Sequence, residues 1–352
     1  MDEVTQGHEP KTAASVAATA GDETAFAELT RRYRRELHVH CYRMLASFED
    51  AEDLVQETFL RAWQRRLTYQ GRAPFRAWLY RIATNACLDF LKRHERRVVQ
   101  LSALGAPPGT DVTLSHFEWL QPYPDRLLGD ALVQGEADDK VIRRETIELA
   151  FLVALQCLPP KQRAVLILSD VLDWSAEETA KLLDSSVASV YAALQRARAT
   201  LRRHQPKRDE PAKSPGVTEH ERLLLRRYAD ATERLDTESL TRLLRDDALF
   251  TMPPSPGAYV CNRVTVQGWV ESGFGQPPHT EFATVLTSAN RMPAAAFYVR
   301  KPGDALYRPV MLDMLRIEEG AVVAVTAFEL PGLIAAFGLP DTLIAAPERE
   351  AC

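Results

Sequence analysis

The chain has 352 residues, 46% of them hydrophobic and 26% charged, with a formal net charge of −5. This is ordinary globular composition, long enough for two or three domains, and it excludes a general polyanion binder, so any nucleic-acid surface must be local. The N-terminal stretch "MDEVTQGHEPKTAASVAATAGDE" carries acids early, and no apolar run is long enough to cross a bilayer, so the expectation is a cytoplasmic protein without a signal peptide or membrane contact.

The texture changes along the chain. Residues 1–21 read as a flexible tail and 22–97 as a helical block rich in Arg and aromatics. Residues 98–140 are Pro- and Gly-punctuated and acidic, the marks of a linker. A second helical block spans 141–204, a polar Pro-rich break 205–217, a mixed helix and strand segment 218–345, and a short tail 346–352. Cys41, Cys87, Cys157, Cys261 and Cys352 lack CxxC spacing and read as free thiols of a reducing compartment. No metal-ligand pattern stands out.

In the first block Asp22 is placed to cap a helix whose apolar face is Phe26, Leu29, Tyr33, Leu37, Cys41 and Leu45. The next stretch, "DAEDLVQETFLRAW", puts Ala51, Leu54, Val55, Thr58, Phe59, Ala62 and Trp63 on one stripe. Asp53, Gln56 and Glu57, at i, i+3 and i+4, share the exposed edge, which by spacing alone is a solvated acidic face. A loop, "YQGRAP", then leads into a helix with Phe75, Trp78, Leu79, Ile82, Ala86 and Phe90 on one side. Its other side carries Arg76, Arg81, Asn85, Lys92, Arg93, Arg96 and Arg97. Cations beside aromatics, after a loop holding Tyr69 and Arg72, suit single-stranded DNA, because cations track phosphates and rings stack on unpaired bases. Phe75 and Trp78 fit a core stripe, which leaves Tyr69 as the stacking candidate.

In the second block Ser175 and Glu178 form a capping box before a short helix that ends at Leu182 and Leu183. A turn, "DSS", precedes a longer helix with Val187, Val190, Leu194, Ala197 and Leu201 as its apolar face. This is helix-turn-helix spacing, equally compatible with a structural helical hairpin. Ser186, Ser189 and Tyr191 lie where base edges would be read, and Arg196, Arg198, Arg202 and Arg203 where phosphates would be met.

Together, "CYRMLASFEDAEDLVQETFLRAW", "FRAWLYRIATNACLDFLKR" and "LPPKQRAVLILSDVLDWSAEETAKLLDSSVASVYAALQRAR" resemble the extracytoplasmic-function, or group-four, sigma factors of bacterial RNA polymerase, in order and spacing, over roughly the first 200 residues. The segment "EWLQPYPDRLL" and the C-terminal region resemble the actinobacterial subset with a SnoaL-like extension, the sigma-G and sigma-J types, and sigma-G more closely. The resemblance implies a multidomain chain: two all-α sigma domains, the second with a helix-turn-helix, then an α+β SnoaL/NTF2-like cone. It implies that Asp53, Gln56 and Glu57 meet the β′ clamp helices of the polymerase core, with the β flap as a further contact. It implies that Tyr69, Arg72, Arg76, Asn85 and Arg93 melt and read the minus-ten element. Ser186, Ser189, Tyr191, Gln195, Arg196 and Arg198 would read the minus-thirty-five element of promoter DNA. Tyr191, Ala192 and Ala193 stand where common members carry Arg or Ser, which leaves fewer direct guanine contacts and shifts discrimination toward Gln195 or Ser189. No catalytic residue or cofactor is called for, since binding free energy drives DNA melting. The rival is a helix-turn-helix regulator that acts without polymerase.

In the C-terminal segment two helices precede strand-like runs with Gly320 at a turn, which predicts helices on a curved antiparallel sheet. Such cones hold a pocket, for which Met252, Tyr259, Trp269, Asn290, Phe297 and Phe328 are the candidate lining; each also fits plain core packing. Asp313 and His279 are candidate bases without an evident partner. The domain is thus either a regulatory module pressing on the sigma domains or the "WLQPYPDRLL" segment, or a sensor or enzyme with a small-molecule ligand. An anti-sigma protein is a further candidate partner.

Overall fold

The computed structural model describes residues 21–69, 71, 73–94, 117, 119–128, 147–204, 217–253, 255 and 258–344. They form two compact units, the first within Met1–Thr110 and Asp130–Pro206, the second within Asp111–Gly129 and Lys207–Cys352.

The first unit is helical. Helix α1 (Glu23–Leu45) starts where the Asp22 carboxylate accepts from the Ala25 amide, and stops at Ala46, whose left-handed φ of 57° lets its N–H close on Tyr42 O. Ser47 caps α2 (Phe48–Gln64) in the same way through the Asp50 amide. Helix α3 (Phe75–Arg93) follows Pro74, whose fixed φ suits a helix start. The expected stripe of α2 is buried at Ala51, Leu54, Val55, Thr58, Phe59 and Ala62. Trp63 departs from it: on the stripe's margin, it is half-buried, 5.0 Å from the Phe26 ring, with the Arg66 guanidinium 4.3 Å over its face.

After α4 (Leu149–Gln156) comes α5 (Pro160–Leu166), which widens into a π-helical turn, Ile167–Val171. The Ser175–Glu178 capping box opens α6 (Ala176–Leu182) as expected. Asp184 turns the chain at φ 48°, the Ser186 hydroxyl accepts from the Ser189 amide, and α7 (Val187–His204) begins. The helices before and after residue 149 share this unit. Tyr80 on α3 packs against Trp174 at 5.5 Å, and Arg81 on α3 reaches both carboxylate oxygens of Asp184 at 2.8 and 2.9 Å.

In the second unit a Thr218–Glu221 capping box starts α8 (Glu219–Glu233), followed by α9 (Thr237–Leu243), β1 (Leu244–Thr251), β2 (Ala258–Val260) and α10 (Arg263–Glu271). Then come β3 (Glu281–Ala289), β4 (Met292–Arg300), β5 (Leu306–Glu318), β6 (Ala321–Glu329), α11 (Ile334–Phe337) and β7 (Leu343–Ile344). The strand order is β2-β1-β6-β5-β4-β3, with β7 on β5. The expected antiparallel sheet is mixed, because β1 lies parallel to β6. The intervening hairpins and helix supply the long crossover that a parallel pair needs. Register shifts at Phe297/Tyr298 and Arg316/Ile317 are bulges, which bend the sheet. Glu319–Gly320 and Asn290–Arg291, all at positive φ, make the two-residue turns of the β5–β6 and β3–β4 hairpins.

The segment between α3 and α4 in sequence is part of this second unit where it is described. Phe117, Leu120, Tyr123 and Leu128 are buried, and Pro124 bridges to Ala289. Residues 117 and 119–128, read from sequence within a linker, are thus part of a compact unit.

Candidate functional site

The acidic edge of α2 stands as spacing predicted. Asp53 and Gln56 are exposed and Glu57 is half-buried. Glu57 accepts from Arg61 Nε at 2.7 Å, so part of its charge is met within the helix, and Gln56 reaches Glu52 at 3.5 Å. Beside this edge lies a shallow groove that periodicity did not reveal, lined by Phe26, Phe59, Leu60 and Trp63 with Arg31 and Arg34 at its border. Leu60 is 59% exposed. The signal was present in the sequence: Leu60 is an apolar residue off the buried stripe, on the same side as the acids.

The candidates for the minus-ten element are placed unevenly. Tyr69 is half-buried: its hydroxyl donates to Ala73 O at 2.9 Å, and its ring meets Phe75 and Trp78 at 5.4 Å each. It is stapled to an aromatic cluster rather than standing free. Arg76 donates to Glu36 at 2.8 Å and lies 4.9 Å over the Tyr80 ring. Burial opposes its charge, but Tyr80 and Glu36 outweigh that and hold its pKa above the ordinary value. Asn85 is half-buried and Arg93 exposed on the last turn of α3. Arg72 lies outside the described residues.

On α7, Ser186, Ser189, Tyr191, Gln195, Arg196 and Arg198 are all exposed, while Val190, Ala193, Leu194 and Ala197 face inward. Two of the six are engaged. Ser186 is the helix cap, and Arg198 is held by both oxygens of Asp170 at 2.9 and 2.7 Å. Of the candidates, Ser189 and Tyr191 are the exposed groups nearest the helix start, with Gln195 and Arg196 a turn further on.

The second unit holds a cavity of about 90 Å³. Trp269 and Phe297 line it as expected; Met252, Tyr259, Asn290 and Phe328 do not. Tyr259 is exposed on the edge strand β2, and Phe328 packs in the core. Met252 lies just past the end of β1, where the chain leaves the sheet. Asn290 is buried for another purpose: its side-chain oxygen accepts from the Tyr123 amide at 2.8 Å, and its amide donates to Tyr123 O at 2.9 Å. Arg291 N donates to Asp125 at 2.9 Å. Arg126 donates to Ala335 O and Ala336 O at 2.8 and 2.7 Å, where it satisfies carbonyls at the end of α11. Gly338, at φ 64°, is required there, since a Cβ would stand 2.9 Å from Arg126 Nε.

Of the two candidate bases, His279 is exposed and outside the cavity lining, whereas Asp313 lines the cavity. Its partner, missed in the sequence, is Tyr228 of α8, whose hydroxyl donates to Asp313 Oδ2 at 2.8 Å. Burial pushes the Asp313 carboxyl up to about 7, against the lowering effect of that hydrogen bond. Burial and the neighbouring Asp313 raise the Cys261 thiol to about 12. The four described cysteines are free and buried, as their surroundings suggested. Among the described residues no group of side chains has metal-binding geometry, and no helix is long and apolar enough to cross a membrane.

A helical block with an exposed acidic edge, a basic helix behind an aromatic loop, and a helix-turn-helix are together an arrangement suited to promoter recognition. In agreement, residues 29–97 match the family model of sigma-70 region 2, and residues 148–201 match sigma-70 region 4. The chain is 39% identical over 324 residues to the ECF RNA polymerase sigma factor SigG of Mycobacterium tuberculosis, covering 90% of this chain and 85% of that one. It is 29% identical over 183 residues to SigW of Bacillus subtilis, covering 52% of this chain and 90% of that one. The crystal structure of the M. tuberculosis sigma factor SigJ superposes with a TM-score of 0.54 at 22% identity, covering 89% of this chain and 99% of that chain, which is likeness of fold. The chain belongs to the ECF RNA polymerase sigma factors. Such proteins are initiation factors, not enzymes: they bind core polymerase and promoter DNA and direct transcription.

Proposed function

We propose that this sigma factor docks on the polymerase core through the exposed side of α2. Asp53, Gln56 and Glu57 meet basic groups of the β′ clamp helices, and Leu60 with the Phe26–Trp63 groove takes an apolar side chain. The observation that carries the reading is Leu60, 59% exposed beside a carboxylate row on a helix whose other face is buried. An apolar anchor ringed by charge is the composition of a protein interface. Tyr69, Arg72, Arg76, Asn85 and Arg93 engage the minus-ten element, and Ser189, Tyr191, Gln195, Arg196 and Arg198, with Ser186 as cap, engage the minus-thirty-five element. The β flap is a further contact for the second sigma domain, and the protein works in the cytoplasm.

Promoter binding requires the first unit to open. Elements about 25 base pairs apart lie on the order of 80 Å apart along B-form DNA, whereas Arg81 and Asp184 are 2.8 Å apart in the packed unit. The C-terminal unit modulates this transition and grips residues 117–128 between the two sigma domains in sequence.

The test is the double variant Asp53→Lys/Glu57→Lys in a binding assay with purified core polymerase. Affinity should fall at least tenfold while the far-ultraviolet circular dichroism is unchanged, and Leu60→Glu should do the same. Normal affinity in both would remove α2 as the docking helix.

A further inference from the structure

The cavity of the second unit is built around one carboxyl group. Asp313 is 5% exposed, and its Oδ2 is taken by the Tyr228 hydroxyl. Its Oδ1 has no hydrogen-bond partner among the described residues, although the side chain lines the cavity. A buried oxygen without a partner is costly, and native proteins leave few of them. The walls around it are mostly rings and aliphatic groups, Phe250, Trp269, Phe274, Phe282 and Phe297 among them, with Thr232, Cys261 and Gln276 as the other uncharged polar lining. No Lys, Arg or His is in the lining, so nothing there would compensate an anion.

We propose that this cavity is a receptor site for a neutral, single-ring molecule bearing one hydroxyl, whose oxygen hydrogen-bonds with Asp313 Oδ1 while the ring packs among Trp269, Phe274 and Phe297. Size sets the ring count. A cavity of about 150 Å³ holds benzene; this one, at about 90 Å³, is smaller, so its half-buried wall must yield for a single ring and a fused system is excluded. Charge sets the rest. A cation would find one carboxyl among many rings, and with its pKa raised to about 7 that carboxyl is only partly ionised at neutral pH, so a hydroxyl, which can accept from the acid or donate to the carboxylate, is the better match. The site is independent of the polymerase-docking assignment, since none of its groups lies in the sigma domains.

Isothermal titration of the full-length chain with phenol, toluene and benzoate tests this. Phenol should bind, toluene about tenfold more weakly, and benzoate not at all. Asp313→Leu, which replaces the carboxyl by an apolar group of similar size, should remove the preference for phenol over toluene. Val310→Trp, at a half-buried lining position, leaves Asp313 in place and should weaken phenol binding at least tenfold by filling the ring's seat. Failure of phenol to bind, equal binding of phenol and toluene, or unchanged phenol binding by either variant would each overturn the proposal.

Discussion

Arg163 ties the ends of α1 and α4 together within the first unit. Its side chain is 3% exposed, and it donates to Met44 O near the end of α1, to Gln156 Oε1 at 2.6 Å, and to Gln156 O and Leu158 O at 3.2 Å each. These are neutral oxygens at the C-terminal ends of α1 and α4, where unsatisfied carbonyls and the helix dipole favour a cation. Arg163→Met keeps most of the stem volume and removes the guanidinium. Each buried acceptor left without a donor costs about 1–3 kcal/mol, offset in part by no longer burying a charge. The expected net loss is about 3–5 kcal/mol. By contrast, the Arg81–Asp184 pair has side chains 47% and 73% exposed, so Arg81→Ala should cost less than about 1 kcal/mol. Native-state hydrogen exchange read by mass spectrometry on the full chain separates these, with peptides of β4 and β5 as internal control. Protection in α1 and α4 should drop by the stated amount for Arg163→Met and barely change for Arg81→Ala. Equal effects, or a loss under 1 kcal/mol for Arg163→Met, would refute the reasoning.

The two units should respond to acid in opposite directions. The folded pKa of Asp313, about 7, lies above its ordinary value of 3.8, so its contribution is fully present below pH 3.8 and is lost as pH rises through 7, up to about 4 kcal/mol. Asp125, raised by burial, acts in the same sense. Exchange protection in β5 should therefore fall between pH 4 and 7, and Asp313→Leu should flatten that slope; an unchanged slope would contradict the assignment. In the first unit burial, with Arg34 and Arg43 nearby, depresses His38 to about 4 and His40 to about 3. Glu52 stands 3.4 Å from His38, but burial prevails and the ring stays neutral. Their contribution is present above pH 6.5 and is lost as pH falls toward 3. His40→Gln, which keeps a hydrogen bond to Thr84, should reduce the acid-induced loss of protection in α1, and an equal loss would argue against His40. Asn290→Ala should remove the side-chain acceptor of the Tyr123 amide, cost about 1–3 kcal/mol, and speed exchange in a peptide covering residues 119–128; unchanged exchange would mean that the Asn290 side chain does not hold the segment.

The α2 stripe, both Ser175 and Asp22 caps and the helix-turn-helix were legible because each is local: caps and 3.6-residue periodicity are written within a few residues. Asp53, Gln56 and Glu57 were legible as exposed positions for the same reason, and their partner only through resemblance. What was not legible is long-range. Nothing near Tyr228 or Asp313 in sequence says that 85 residues apart they share a proton-bearing hydrogen bond, and nothing near Asn290 says that it holds Tyr123. Asn290 read as a candidate pocket residue; the structure puts it in a positive-φ turn, where it holds Tyr123 instead. The parallel β1–β6 pair escaped because alternation marks a strand but not its neighbour.

The most direct measurement is run-off transcription with purified core polymerase, the full-length chain and a pool of genomic promoter fragments. The account predicts discrete transcripts that require both core enzyme and this chain and that disappear with Asp53→Lys/Glu57→Lys. Duplex binding by the chain alone, with no chain-dependent transcript from any fragment, would contradict it.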